Sequence, residues 1–126
     1  MIDHLSTYAT DYAITRDFYR AVFAPLGHSQ QMEFTNPSGG QMCAFGPENM
    51  AVFWVIEVEQ PATPRHVAFT AASREQVHAF HEAGLENGGS DNGAPGPRPI
   101  YHQHYYGAFI IDPDGNNVEA VCHQPG

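Results

Sequence analysis

Three residues of this chain have the types and positions for specific chemistry: His4, His66 and Glu119. Two imidazoles and one carboxylate form the facial set that suits Fe(II), Mn(II), Zn(II) or Ni(II), and they leave up to three positions for water and substrate. Glu119 is flanked by Val118, Ala120 and Val121. A carboxylate turned inward among such neighbours needs a cation as partner. A single strand histidine is commonly a satisfied core or edge residue. His4 and His66 gain weight because they stand 62 residues apart at corresponding points of a repeated element order. A second group, His102 and His104 with Tyr101, Tyr105 and Tyr106, follows the long Gly/Pro segment 90–99. If that group is extended, His102 and His104 share a face, and a histidine titrating near about 6.5 could serve as general acid/base. The alternative is an aromatic, hydrogen-bonded loop lid. His78 and His81, beside acidic residues on a helix, read as solvated surface, and His28 and His123 carry no signal beyond their type.

The elements that must position these groups repeat. Residues 2–9 alternate as a strand, Thr10 can cap a helix with Ile14, Phe18, Val22 and Leu26 on one face, and Gly27 ends it. Strands are predicted at 28–35, 41–45 and 50–58, separated by Gly/Pro/Asn turns. The segment 60–65, with Pro61 and Pro64, reads as a linker. The order then recurs: a strand at 66–71, a helix opened by the capping-box spacing Ser73-Arg74-Glu75-Gln76 and buried through Val77, Phe80, Gly84 and Leu85, then strands at 105–112 and 117–122. Residues 90–99 read as irregular. The sum is α+β: two tandem βαβββ modules, 1–59 and 66–126, in one domain. One helix and one small sheet bury too little alone, so the sheets should curve around a shared cavity.

Composition narrows the function. With 126 residues, 42% hydrophobic and 15% charged, the chain is a globular domain rather than a disordered or fibrous one. Its net charge is −9, with five cations, all arginine, against 14 acidic residues. That balance excludes nucleic acid and anionic membrane as partners. The first residues lack a basic segment followed by an apolar one, and the cytoplasm is the expected compartment. Cys43 and Cys122 read as buried reduced thiols.

Ile2-Asp3-His4, the segment Arg16-Asp17-Phe18-Tyr19-Arg20-Ala21-Val22-Phe23-Ala24-Pro25-Leu26-Gly27, His66-Val67-Ala68-Phe69, and above all the run from Tyr106 through Asp112-Pro113-Asp114-Gly115-Asn116 to Glu119 resemble the vicinal oxygen chelate superfamily. That superfamily includes glyoxalase I, extradiol dioxygenases, fosfomycin-resistance transferases and bleomycin-resistance proteins. The resemblance implies that His4, His66 and Glu119 hold a divalent metal ion, and that the chain forms a homodimer acting on a small-molecule substrate. It also implies a choice of chemistry. Glyoxalase I has a fourth, glutamate ligand where Trp54 stands here, and strand parity puts Glu57 on the opposite face. No lysine and one loop arginine, Arg98, leave little to hold glutathione. Extradiol dioxygenases have a tyrosine where Phe109 stands. The expected function is a glyoxalase-like lyase or isomerase, or a dioxygenase. His102 would be the acid/base, and Trp54, His104, Tyr105, Tyr106 and Phe109 would line the substrate site. The rival is a drug-binding protein without turnover, lined by Phe53, Trp54, Tyr105, Tyr106 and Phe109.

Overall fold

A computed structural model describes residues 1–126. The order is β1 (Leu5–Ala9), α1 (Tyr12–Phe23), a 3-10 turn (Ala24–Leu26), β2 (Ser29–Thr35), β3 (Gln41–Gly46), β4 (Phe53–Glu57), then β5 (His66–Thr70), α2 (Arg74–Glu86), β6 (Ser90–Pro97), β7 (Tyr106–Ile111) and β8 (Asn117–Cys122). This is βαβββ twice. Each module is a four-stranded mixed sheet, ordered β1-β4-β3-β2 and β5-β8-β7-β6, whose first and last strands are parallel neighbours.

Local chemistry sets most of these elements. The Ser73 hydroxyl accepts the Gln76 N–H at 3.2 Å and the Gln76 side chain accepts the Ala72 N–H at 2.7 Å, so α2 starts where the capping spacing predicts. Thr10 does not cap α1; Asp11 occupies that position without a side-chain bond, and the Thr10 N–H donates instead to Asp114. The buried stripe of α1 is Tyr12, Thr15, Phe18, Tyr19, Val22 and Phe23, while Ile14 is exposed. The row read from spacing is buried at Phe18, Val22 and Leu26 and fails only at Ile14, and tertiary contact widens the buried stripe to include Tyr19.

The segment 90–99 is not irregular. Its first eight residues form edge strand β6, which pairs with β7 through register shifts on both sides of Gly93. No β-branched residue announces it, and prolines are tolerated because an edge strand has one unpaired side.

The two modules share one core. Phe23 packs edge-on to Phe69, ring centroids 4.8 Å apart, and Phe53 meets the same ring at 5.3 Å. The Asp112-Pro113-Asp114-Gly115-Asn116 turn of the second module plugs into the first. The Tyr19 hydroxyl donates to Asp112, and Asn116 Nδ2 donates to Thr7 Oγ1 at 3.3 Å. Burial, then the Asp112 charge, pushes the Tyr19 phenol well above its ordinary pKa, so it stays a donor.

Each sheet thus carries a helix on one face and leaves the other open. Strand alternation decides what is displayed there. The first sheet shows Tyr8, Trp54, Ile56, Met42, Met32 and Phe34, with Met32 43% and Phe34 45% exposed. The second shows His66, Ala68, Phe109 and Glu119. No helix is long and apolar enough to cross a membrane.

Candidate metal centre

The open face of the second sheet brings His66 and Glu119 together. His66 begins β5; Glu119 lies one strand away on β8, paired with Ala68 on one side and Phe109 on the other. His66 Nε2 is 3.1 Å from Glu119 Oε1. Glu119 is 1% exposed, and no arginine forms an ion pair with it. Its second oxygen accepts the hydroxyl of Tyr105. Gly107, between them, supplies the space: a Cβ there would come within 3.1 Å of Glu119 Oε2 and 3.2 Å of the Tyr105 ring. Burial, then the bond to Glu119, raises the Tyr105 phenol far above its usual range. Tyr105 is therefore a fixed donor that turns Glu119 Oε1 toward His66.

The other nitrogen of His66 tests whether this pair suits a cation. Nδ1 lies 3.1 Å from the Asn117 carbonyl oxygen, which can only accept, so Nδ1 carries the hydrogen. Nε2 then turns a lone pair toward a buried carboxylate. Two acceptors at 3.1 Å are stable only with a cation between them, a proton or a metal. Anchoring of the distal nitrogen by a backbone carbonyl is also how metal-ligating histidines are oriented. The donor set fits a divalent ion.

His4 is elsewhere. It precedes β1, exposed, with Nδ1 2.6 Å from Asp3 Oδ1, and no three His, Cys, Asp or Glu side chains of one chain gather around a common point. Glu57 accepts the Gln41 N–H at 3.0 Å at the far end of β4, and Trp54 points to the open face of the first sheet, edge-on to Phe34.

The His102 region forms a cluster that its spacing does not reveal. The His104 N–H donates to His102 Nδ1 at 3.1 Å, so the hydrogen of His102 is on Nε2, which donates to His123 Nδ1 at 2.7 Å. The two rings stack at 4.9 Å, and both meet the edge of Tyr105. His102 therefore sits one tyrosine ring from Glu119 rather than against it. His104 joins through its backbone, and His123 is a partner that only the end of β8 brings into place.

Tyr105 and Phe109 share the Glu119 face, and the Phe109 ring stacks on His66 at 6.2 Å. Tyr106 does not: adjacent residues on a strand point oppositely, and Tyr106 packs under α2, bonded through its hydroxyl to His78 Nε2 at 2.6 Å with Arg74 over its ring. His78 is thus not simple surface. Nor is His81, whose Nε2 is 2.9 Å from Asp91 on β6 and lowers that carboxyl's pKa by hydrogen bonding. His28 packs edge-on to Phe23, and its burial lowers its pKa.

Comparison with known proteins agrees with this architecture. The family model described as Glyoxalase/Bleomycin resistance protein/Dioxygenase superfamily matches residues 1–120. The chain belongs to that superfamily. Among solved structures, it is similar to a glyoxalase/bleomycin resistance protein from Albidiferax ferrireducens T118, 31% identical over 97% of both chains with a TM-score of 0.76. Two others share the fold at lower identity. Glyoxalase I from Zea mays is 20% identical, TM-score 0.72, with 96% of this chain matching 45% of that one. A variant of the fosfomycin resistance protein FosX from Listeria monocytogenes, complexed with Mn(II) and dihydroxypropylphosphonic acid, is 16% identical, TM-score 0.69, over 95% and 90% of the two chains. Among curated proteins, none matches the sequence.

Proposed function

We propose that this protein is a divalent-metal enzyme of the superfamily, a glyoxalase-like lyase or isomerase with ring-cleaving dioxygenase chemistry as the second reading, acting on a small substrate with two adjacent oxygens. The observation that carries this is the His66–Glu119 pair: two ligand atoms 3.1 Å apart, each held from behind, with no protein cation between them. A divalent ion there supplies the charge that binds two adjacent substrate oxygens and stabilises negative charge developing on them.

The chain's own groups have separable tasks. The Asn117 carbonyl fixes the tautomer of His66, and Tyr105 fixes the rotamer of Glu119. Phe109 gives the substrate an apolar floor beside His66. His102 is assigned the acid/base role: Nδ1 is its acceptor nitrogen, its Nε2–H bond to His123 would stabilise the imidazolium, and the Tyr105 ring separates it from Glu119, so the role requires a substrate that extends past Tyr105.

The third ligand of this reading is His4 of a second copy. Support comes from two features: His4 lies apart from His66 and Glu119 in its own chain, and each module leaves a sheet face open, the first of them apolar. A two-fold dimer that sets the first module of one copy against the second module of the other covers both faces and makes two equal sites. Mixing tests it. His4→Ala and Glu119→Gln chains should each fail to hold zinc alone, and their mixed dimer should regain one intact site. No recovery after co-refolding refutes the shared site. Metal analysis tests the enzyme reading as a whole: about one divalent ion per chain is expected after reconstitution, and none would favour a ligand-binding protein without turnover.

A further inference from the structure

Arg98 stands on the face that carries Glu119, with room made for it. Its guanidinium carbon lies 5.5 Å from the centroid of Phe109, the ring that stacks on His66. Two glycines of β6 clear the space. A Cβ at Gly93 would come within 3.3 Å of Arg98 Nη2 and 2.9 Å of Phe109, and one at Gly96 within 3.1 Å of Arg98 Nη1. The backbone holds the residue at both ends, its N–H on the Tyr105 carbonyl at 2.8 Å and its carbonyl on the Tyr101 N–H at 3.0 Å. Tyr105, which orients Glu119, and Arg98 thus close the same loop.

The guanidinium is only partly used. It donates to the Ala94 carbonyl at 2.8 Å and the Pro97 carbonyl at 3.3 Å. Of its five N–H groups, the remaining three have no protein partner. No carboxylate pairs with it, although acidic residues outnumber arginines 14 to 5. Arg16 and Arg20 are bound to Asp17 and Glu33, whereas Arg65 and Arg74, like Arg98, lie over an aromatic ring without a carboxylate. Arg98 is set apart by its place against Phe109, the ring that stacks on His66. A half-buried guanidinium seated on an aromatic ring, with donors free and no counter-ion, is built to take a planar anion.

We infer that Arg98 recognises a carboxylate on the substrate, and that the substrate class is a small oxygen chelator bearing its carboxylate about one aromatic ring away from the two adjacent oxygens, the interval that Phe109 sets between His66 and Arg98. This rests on the metal reading above, since His66 and Glu119 define the chelating end. For an anionic substrate, a local donor of this kind offsets the general repulsion of a protein of charge −9.

The probes are 3,4-dihydroxybenzoate and catechol, which share the chelating oxygens and differ in the carboxylate, titrated calorimetrically into the zinc-loaded protein and into Arg98→Gln. Wild type should bind the carboxylated probe about tenfold more tightly or better than catechol, as charge-assisted hydrogen bonds imply. Arg98→Gln should lose that preference while keeping its affinity for zinc and for catechol. Comparing the ratio between the two proteins cancels any intrinsic difference in chelating strength. Arg98→Lys, which keeps the charge and loses the fork, should retain part of the preference, and it serves if Arg98→Gln folds poorly. Equal binding of both probes by wild type, or a preference that survives Arg98→Gln, overturns the assignment of Arg98 and leaves the metal reading standing. Zinc-loaded protein that binds neither probe overturns the chelate reading and this inference with it.

Discussion

Replacing Glu119 by glutamine separates a metal ligand from a structural ion pair, because the two roles give opposite signs. The glutamine amide keeps the shape and leaves an oxygen to accept the Tyr105 hydroxyl. Its N–H can donate to His66 Nε2, which already turns a lone pair that way because Nδ1 donates to Asn117. Without metal, then, Glu119→Gln removes a buried charge that has no permanent cation and inserts a satisfied hydrogen bond. Stability should hold or rise by about 1 kcal/mol, which for a chain of this length is about 4 °C in melting temperature. Metal affinity should move the other way. Loss of one charged ligand from three exceeds the 10- to 100-fold that second-shell changes cost, so a fall of more than about 100-fold in zinc affinity is expected. Competition with a chelating dye and calorimetric melting of the metal-free protein measure both. Undiminished zinc binding would remove Glu119 from the site. A loss of about 3 kcal/mol in the metal-free protein would show that Glu119 is instead paired with a permanently protonated His66.

Two further outcomes follow from the same geometry. Tyr105→Phe leaves Glu119 Oε2 without its donor, so zinc affinity should fall about tenfold and metal-free stability by about 2 kcal/mol; unchanged zinc affinity would show that Tyr105 does not orient the ligand. His28 has its pKa lowered by burial, so the unfolded chain binds the proton more tightly than the folded one. Its contribution to stability is therefore present above about pH 6.5 and is lost as pH falls through that value toward the lower folded pKa. Melting temperature followed from pH 8 to 5 should drop less for His28→Leu than for wild type, and parallel curves would refute the assignment.

Much of the fold is written locally. Capping at Ser73 and the turn at residues 112–116 are interactions between near neighbours, and they place second-module elements before any tertiary contact is known. The likeness of the two halves, with His4 and His66 62 residues apart, also lies in the sequence. Strand β6 was not legible, because its residues have low strand propensity and are held by β7 rather than by themselves. The face of α1 was legible at Phe18, Val22 and Leu26, whereas Ile14 is exposed and Tyr19 joins the buried side to reach Asp112, 93 residues away.

The site divides along the same line. Parity within one extended strand puts Tyr105 and Phe109 on the same side, since alternation is a property of the chain itself, but the pairing of β7 with β8 is what sets Phe109 beside Glu119. The same parity argues against Tyr106, which lies under α2. What no local rule contains is the distance between segments far apart in sequence. Only the packing of β5 beside β8 brings His66 to Glu119, and only the close of β8 brings His123 to His102. The packing of the modules through their helices also leaves His4 away from both. The sequence offers candidate ligands by type; the tertiary structure decides which of them meet within one chain, because it alone sets the through-space order of distant strands.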